Sequence, residues 1–483
     1  MADCDAIIVG AGPNGLAAAV VLARAGLSVR VFEREHLIGG GARTEELTLP
    51  GFLHDVGSAV HPQALASGFL RAFELEKRVR FVVPEISYAH PLDGGRSGIA
   101  WRDLDRTADG LGVDGAAWKG LLEPLVRHAD RVAQFAGSQV LQLPRHPLTL
   151  ARLGLRILEQ GSPGWDRRFR QDLAPAMITG VMAHAIRPLP SLSTAATGLV
   201  LATTGHARGW PIPIGGSRSI TDALAEDLVA HGGEIVTGVE ITSIGELPTA
   251  KVVLFDLSPR ALSRIAGDRL PEGYRRALDR FRYGNAIAKA DFALSGPVPW
   301  TDARLAGTAT LHVGGTRRQM AESEADVAAG RHPRDPYVLV SQPSAFDPSR
   351  APTGKHVLWA YTHVPRGSTE DRTEAIVAKI ERYAPGFRDT ILASASRSAV
   401  EVERYNPNYV GGDIAAGDVT IAQLLARPIL SPTPWRTAAR GLYLCSSSTP
   451  PGPAVHGLAG YYAAMTALRD EFGATRRPFL GLE

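Results

Sequence analysis

The chain of 483 residues is poor in cysteine, with only Cys4 and Cys445. Two thiols cannot build a disulfide framework or a cysteine-based zinc site, and a reduced, cytoplasm-like compartment is the expectation. Neither sign of charge is in excess. The 52 basic and 49 acidic residues leave a formal net charge of +3, so no global polycation is present to hold nucleic acid. Lysine is scarce, six residues against 46 arginines, a bias of the kind a GC-rich genome produces. Long apolar runs are missing too. Ala6–Ala23 is uncharged over 18 residues, the length at which a membrane helix has to be considered. However, Gly10, Gly12, Pro13, Asn14 and Gly15 interrupt it, and Asp3 and Asp5 stand where a signal peptide would carry Lys or Arg. Pro188–Ala207 is also uncharged, but it is loaded with Ser, Thr and Pro.

What is present describes a folded chain. Hydrophobic residues are 45% and charged residues 21%, ordinary values for a globular protein. The length exceeds what one core sustains, so two closely associated domains are expected. Asp5–Val9 reads as a strand, Gly15–Ala25 as an Ala-rich helix and Ser28–Glu33 as a second strand, together a βαβ unit. Phe81–Trp101 reads as a hairpin around Asp93-Gly94-Gly95, and Asp114–Phe135 as one helix. Ser217–His231 is helical, Lys251–Asp256 a buried strand, and Ser258-Pro259 opens another helix. Ser368 and Asp371 start a helix that runs to about Tyr383. Gly441–Cys445 is a strand, followed by a Gly/Pro/Ser loop and a helix from Gly457 to Phe472. The fold class expected is α/β, a discontinuous Rossmann-type domain with an interleaved α+β domain. The first would take residues 1–80, 205–280 and 430–483, and the second 81–204 and 281–429.

Gly10-Ala11-Gly12-Pro13-Asn14-Gly15 is a GxGxxG placed directly after a strand and at the start of a helix. Gly10 permits the tight turn, Gly12 lets the backbone approach a pyrophosphate, and Gly15 lets helix and strand pack closely. The helix N-terminus adds free N–H groups and a positive dipole end. Glu33, at the end of the next strand, suits adenosine-ribose hydroxyls and repels a 2′-phosphate, which disfavours NADP. The fingerprint alone does not separate FAD from NAD.

The next residues carry a resemblance. Glu33-Arg34-Glu35-His36-Leu37-Ile38-Gly39-Gly40-Gly41-Ala42-Arg43-Thr44 resembles the doublet-glycine motif of the phytoene desaturase and amine oxidase flavoprotein superfamily. Asp55-Val56-Gly57-Ser58 resembles its D-x-G segment, and Gly441–Cys445 followed by Pro450–Gly457 its closing flavin motif. Gly209–Ser217 and Tyr409–Ile414 resemble the phytoene-dehydrogenase-like branch that includes pyridine nucleotide-disulphide oxidoreductase domain proteins. The resemblance spans nearly the whole chain and implies FAD. It implies that Gly12, Gly15 and Glu33 bind the ADP half, with Pro13 and Asn14 in the same turn. It puts Arg34, Gly39, Gly40, Gly41, Ala42 and Arg43 near the pyrophosphate and flavin, Gly57, Ser58, Ser447, Val455, His456 and Gly457 in the flavin motifs, and the Val239 backbone at the adenine. Two departures stand out: Gly41 occupies the position where many members have Arg, and Ser446-Ser447-Ser448 replaces a G-A-S or G-D, so contacts there would come from hydroxyls and backbone N–H.

The chain has one GxGxxG and no CxxxxC, so a second dinucleotide site and a dithiol relay are absent. The chemistry implied is a hydride passing from a substrate C–H to flavin N5. The helix near Gly457 would point its N-terminus at the flavin N1/O2 edge. His456, just before it, and His61, after the D-x-G segment, are each either a proton acceptor or a satisfied turn histidine. His184, Tyr405 and Tyr409 either line the substrate side or pack. No histidine spacing suggests a metal, and Ser446–Ser448 has no G-x-S-x-G context. Residues 145–170 gather Arg145, Arg152, Arg156, Arg167, Arg168 and Arg170 among Leu, Ile, Trp165 and Phe169. They either rest on an anionic membrane surface or cap a domain. The expected function is an FAD-dependent desaturase or dehydrogenase acting on a small, apolar, isoprenoid-like substrate, with oxygen or a quinone as electron acceptor. An FAD amine oxidase and a flavin-binding assembly protein are the alternatives.

Overall fold

The computed structural model describes residues 3–482; residues 1, 2 and 483, at the limits of the expected domains, lie outside them. Ile7, Ile8 and Val9 give the strand Cys4–Val9 its β-branched character, and the strand is buried on both faces. It lies at the centre of a five-stranded parallel sheet. Val29–Phe32 and then Glu234–Val236 flank it on one side, Ala250–Phe255 and then Leu442–Leu444 on the other. These strands come from three separated stretches of chain. Cys4 and Cys445 are both buried and free.

Helix Pro13–Ala23 follows the first strand, with Pro13 preset for a first helical turn. Every residue after Pro13 is buried. The helix is held between the sheet, the helix Arg218–Ala230 and the C-terminal helix Leu458–Phe472. A Cβ at Gly460 would land on the Asn14 carbonyl oxygen, so the two helices touch backbone to backbone at that point. Leu16, Val20, Val21 and Leu22 are fully withdrawn from water, each worth about 1.5–3 kcal/mol.

The second domain is built on a seven-stranded sheet. Its order is 391–397, 286–294, 356–364, 338–341, 308–313, 86–92 and 96–101, antiparallel except between 308–313 and 86–92. Helices Leu173–Met182 and Leu192–Ala207 pack beside it. The uncharged stretch at 188–207 is mostly the second of these. Ser191 and Thr194 close a capping box at its start, and no helix among the described residues is long and apolar enough to cross a membrane.

Three local expectations differ from the structure. Asp114–Phe135 is two helices, Gly115–Val126 and Ala129–Ala136, broken at His128 (φ −125°, ψ 30°). Leu125 and Val132 are seven residues apart and keep the same face, so apolar spacing continues across the break and conceals it. Within Phe81–Trp101 the hairpin is Ile86–Leu92 with Arg96–Trp101. Phe81 and Val82 pair instead with Ile212 and Pro213. The helix expected from Ser368 begins only at Thr373 and ends at Glu381.

Candidate functional site

The carboxyl ends of the parallel strands open a cleft lined by Val9, Phe32, Asp256 and Ser446, at the place where ligands bind in sheets of this type. The glycine turn forms its floor. Gly10 has φ 102°, and a Cβ on Gly12 would stand 2.5 Å from Asp256 Oδ2. Gly39 (φ 111°) donates its N–H to the Ala11 carbonyl at 2.8 Å, which ties the doublet-glycine loop to the fingerprint. A Cβ on Gly40 would come within 3.2 Å of Gly12 Cα. The two glycine loops thus face each other as bare backbone, the surface a pyrophosphate needs.

Glu33 reaches the rim from the end of Val29–Phe32. Its Oε2 accepts the Ala11 N–H at 2.8 Å and its Oε1 the Glu35 N–H at 3.0 Å, which fixes the carboxylate toward the cleft. Val239 also lines the cleft. Its N–H is committed to the Glu33 carbonyl at 2.9 Å, so any backbone contact with an adenine would come from its carbonyl. Asn14 Nδ2 donates to Ser447 Oγ at 3.3 Å, so the first and last loops of the domain meet across the site.

The arginines behave differently from what the doublet-glycine motif suggests. Arg43 donates from Nε to the Gly40 carbonyl at 3.1 Å and stacks on the Tyr405 ring at 4.1 Å. Arg34 pairs with Glu35 and reaches the Arg404 carbonyl. Both line the cleft, and both are also spent on holding its walls. Tyr409 explains Gly41: a Cβ there would overlap the Tyr409 hydroxyl, so the glycine in place of Arg makes room for the tyrosine. Ala42 is fully buried behind the loop.

The remaining expected residues do not line this cleft. Gly57 is pressed against the Gly41 carbonyl, which accepts the Ser58 N–H at 3.1 Å. Val455, His456 and Gly457 form the approach to the C-terminal helix, with Gly457 at φ 64° as its cap. His456 accepts the Leu458 N–H at Nδ1 (3.0 Å), so its Nε2 carries the proton and donates to the Gly452 carbonyl at 3.1 Å. Burial brings its pKa down to about 4. With both ring nitrogens engaged, His456 caps a helix and has no lone pair with which to take a proton, which corrects the expectation of an acid/base role.

His61 is arranged otherwise. Ser217 donates its hydroxyl proton to the Ser58 carbonyl at 2.5 Å, so the 2.7 Å contact between Ser217 Oγ and His61 Nε2 is a donation from the ring. Nδ1 then keeps its lone pair. Burial lowers His61 to about 4, and the nearby Arg350 acts in the same direction against Asp55. Behind Ser217, Asp55 takes the Ser217 N–H and the Thr44 hydroxyl, both at 2.8 Å, and pairs with buried Arg350 at 2.5 Å.

Farther into the second domain, the backbone N–H of His61 donates to the Pro211 carbonyl at 3.0 Å. Next to Pro211, the Trp210 ring lies against Tyr88, His184 and His312. His184 and His312 meet at 2.8 Å, and no group of side chains suited to a metal ion occurs among the described residues.

Two residues important to the cleft were not singled out from the sequence. Asp256 ends the strand Ala250–Phe255 and faces the fingerprint. Its place at the carboxyl end of a parallel strand is the signal that would have found it. Arg427 is fully buried. It donates to the carbonyls of Ala415 (2.7 Å), Ala416 (3.2 Å), Gly417 (3.2 Å) and Ser447 (2.8 Å), binding the 415–417 loop to the 446–448 loop. Nothing in the local sequence marks it.

The site fits a flavin dinucleotide. The glycine cradle is backbone-lined, the Glu33 carboxylate is held at the rim, where it would meet ribose hydroxyls, and Asn14 Oδ1 and Ser58 Oγ are buried without a partner. Comparison with known proteins agrees: residues 14–457 match the family described as flavin containing amine oxidoreductase.

The chain belongs to that family.

A pyridine nucleotide-disulfide oxidoreductase domain-containing protein 2 from Rattus norvegicus is 26% identical, over 97% of this chain and 94% of its own. A phytoene dehydrogenase from Streptomyces griseus is 27% identical over 81% and 78%. The cyclohexylamine oxidase from Brevibacterium oxydans shares the fold, with a TM-score of 0.60, 14% identity and coverage of 98% and 100%. The cofactor of this family member is FAD, and its chemistry is oxidoreduction. Replacing Glu33 by Ala is expected to weaken FAD binding roughly 10–100-fold, the worth of one or two charge-assisted hydrogen bonds. Quenching of FAD fluorescence during titration measures it.

Proposed function

We propose that this flavoprotein is a desaturase or dehydrogenase taking a hydride from a C–H bond of an apolar, isoprenoid-like substrate, with oxygen or a quinone as final electron acceptor. FAD, when bound, supplies the hydride acceptor. The observation that carries the reading is the neutrality of the buried wall running from His61 through Trp210 to His184 and His312. Burial holds His61 and His90 near 4 and His184 near 3, and pushes His312 well below its ordinary value. The ionic groups bordering it are matched: Asp55 with Arg350, and Asp291 with Lys289. Neutral rings bordered by matched ion pairs suit a neutral substrate better than a charged one.

His61 is the chain's candidate proton acceptor, through Nδ1. Because its pKa is lowered, the neutral, accepting form persists at physiological pH and is lost only as pH falls through about 4. His61→Ala should therefore slow flavin reduction about 100-fold while FAD stays bound. Stopped-flow reduction under anaerobic conditions measures this, and an unchanged rate removes the role.

A second observation bears on how an apolar substrate arrives. Helix Pro147–Gln160 turns Leu148, Leu155 and Leu158 outward with Arg152, and the preceding loop exposes Leu143 (93%) beside Arg145. Leucines flanked by arginines suit the surface of an anionic bilayer. Trp165 and Phe169 take no part, because both are buried against the Arg317 guanidinium. The full chain should sediment with anionic vesicles at low salt, and the Leu143→Glu, Leu148→Glu double variant should stay in solution.

Oxidation of an amine has one specific observation in its favour: Tyr405 and Tyr409 stand together against Gly40 and Gly41. Anaerobic bleaching of the flavin by isoprenoids but not by amines is the expected result. Bleaching by amines alone would replace the first reading with the second.

A further inference from the structure

The anion-binding end of the fingerprint helix already holds an acid. Asp256 Oδ2 accepts the Gly15 N–H at 2.9 Å and stands against Gly12, where a Cβ would come within 2.5 Å of it, and Pro13 between the two glycines has no N–H to offer. The side chain is enclosed and forms part of the cleft wall where the FAD pyrophosphate has to approach the two glycines. Its hydrogen-bond donor is a backbone N–H, and no guanidinium or ammonium among the described residues forms an ion pair with it. An ionised Asp256 would therefore face a doubly negative pyrophosphate in a region of low dielectric, both drawing on one helix dipole.

We propose that Asp256 is a binding residue of the FAD site that must carry a proton for the dinucleotide to seat, so that FAD and one proton from solvent bind together. This rests on the FAD reading of the cleft. Asp256 has the character the proposal requires: burial raises its carboxyl to about 7, with Glu33 contributing in the same direction. The other groups facing it come from two further elements. Cys445, after Leu442–Leu444, is pushed well above its ordinary value, and Tyr409, in the loop before Gly411, is pushed to about 12, so both hold their protons through neutral pH. Glu33 adds a second carboxyl on the opposite strand. The protonated Asp256 still accepts from Gly15 through its carbonyl oxygen and presents a hydroxyl where an anion would repel. As pH rises above 7, binding has to include the work of reprotonating this group, and affinity falls about tenfold per unit.

Titration of the full chain, stripped of FAD, between pH 6 and 9 tests this by flavin fluorescence. The expected result is a Kd that is flat below pH 7 and rises about tenfold per pH unit above it. Asp256→Asn should bind FAD with a Kd independent of pH and, at pH 9, more tightly than the unaltered chain. Calorimetry of the unaltered chain at pH 8 in phosphate and in Tris gives a readout independent of the variant, with close to one proton taken up per FAD. A pH-independent Kd with no proton uptake, FAD binding normally, overturns the proposal and leaves the FAD site standing. A failure to bind FAD at any pH overturns both.

Discussion

Gly15→Val is expected to leave the protein without FAD, colourless after purification even when FAD is added. A Cβ at this position would land on the Gly10 carbonyl oxygen and come within 3.0 Å of Asp256 Cβ. Neither neighbour can give way. Gly10 is the turn itself, and Asp256 directly follows a strand paired in parallel register with Cys4–Val9, its own N–H donated to the Val9 carbonyl at 2.8 Å. The helix would have to tilt away from the sheet, carrying the Gly12 and Asn14 backbone out of reach of a pyrophosphate. The loss in FAD affinity is expected to exceed ~1000-fold, since several phosphate contacts fail together. Absorbance between 350 and 500 nm reads it directly, and circular dichroism separates a colourless fold from an unfolded chain. Flavin bands of ordinary intensity in this variant would mean that the cleft is not the FAD site.

The second large effect is expected from Arg427→Leu. Arg427 is buried and meets carbonyl groups of two loops, with Phe281 below its charge at 5.8 Å. Desolvation brings it down to about 10, still far above neutral pH, so it is a cation whenever the protein is folded. Leucine keeps much of the volume and removes every donor, taking the arginine bonds from the carbonyls of Ala415, Gly417 and Ser447, leaving Ala416 with only the Ser448 hydroxyl, and removing a cation that favours the Asp413 carboxylate. A cost on the order of 3–5 kcal/mol follows from loss of one partner in a buried charged network. The 446–448 loop, freed from the 415–417 loop, would also no longer hold Ser447 against Asn14. A fall in Tm with accelerated FAD release is the expected pair of observations. Unchanged values of both would show that the Ser448 bond to the Ala416 carbonyl is sufficient to join the loops.

Much of this site was legible in the sequence because the chemistry of phosphate approach is local. Glycines at 10, 12 and 15 act through backbone, and a strand–turn–helix around them is visible as a change in apolar period. Glu33 follows from the same unit. The α/β class and its interleaving with a second domain were legible for the same reason, since the strand-like runs at 5–9, 251–256 and 441–445 are apolar and separated by unlike segments. What was not legible depends on partners far away in the chain. Arg427 has its role only because residues 415–417 and 446–448 are brought to it. His456 looks like a catalytic histidine until the Leu458 N–H and Gly452 carbonyl are seen to occupy its ring. The difference between His61 and His456 is set by Ser217, a residue 156 positions away from the first. The break at His128 was hidden because apolar period survives it.

The domain's construction from three stretches has a consequence for the time course of synthesis. A nascent chain that has delivered the glycine turn, Glu33 and Asp256 still lacks Ser447, Arg427's partner loop and the C-terminal helix that lies on Asn14 through Gly460. No ribosome-bound intermediate shorter than about 460 residues has the whole cradle. The complete cradle therefore requires residues up to Gly460, and the first stretch folded by itself does not supply it. An N-terminal fragment ending before Ser446 lacks one wall of the cleft, because Ser446, Ser447 and Ser448 all line it.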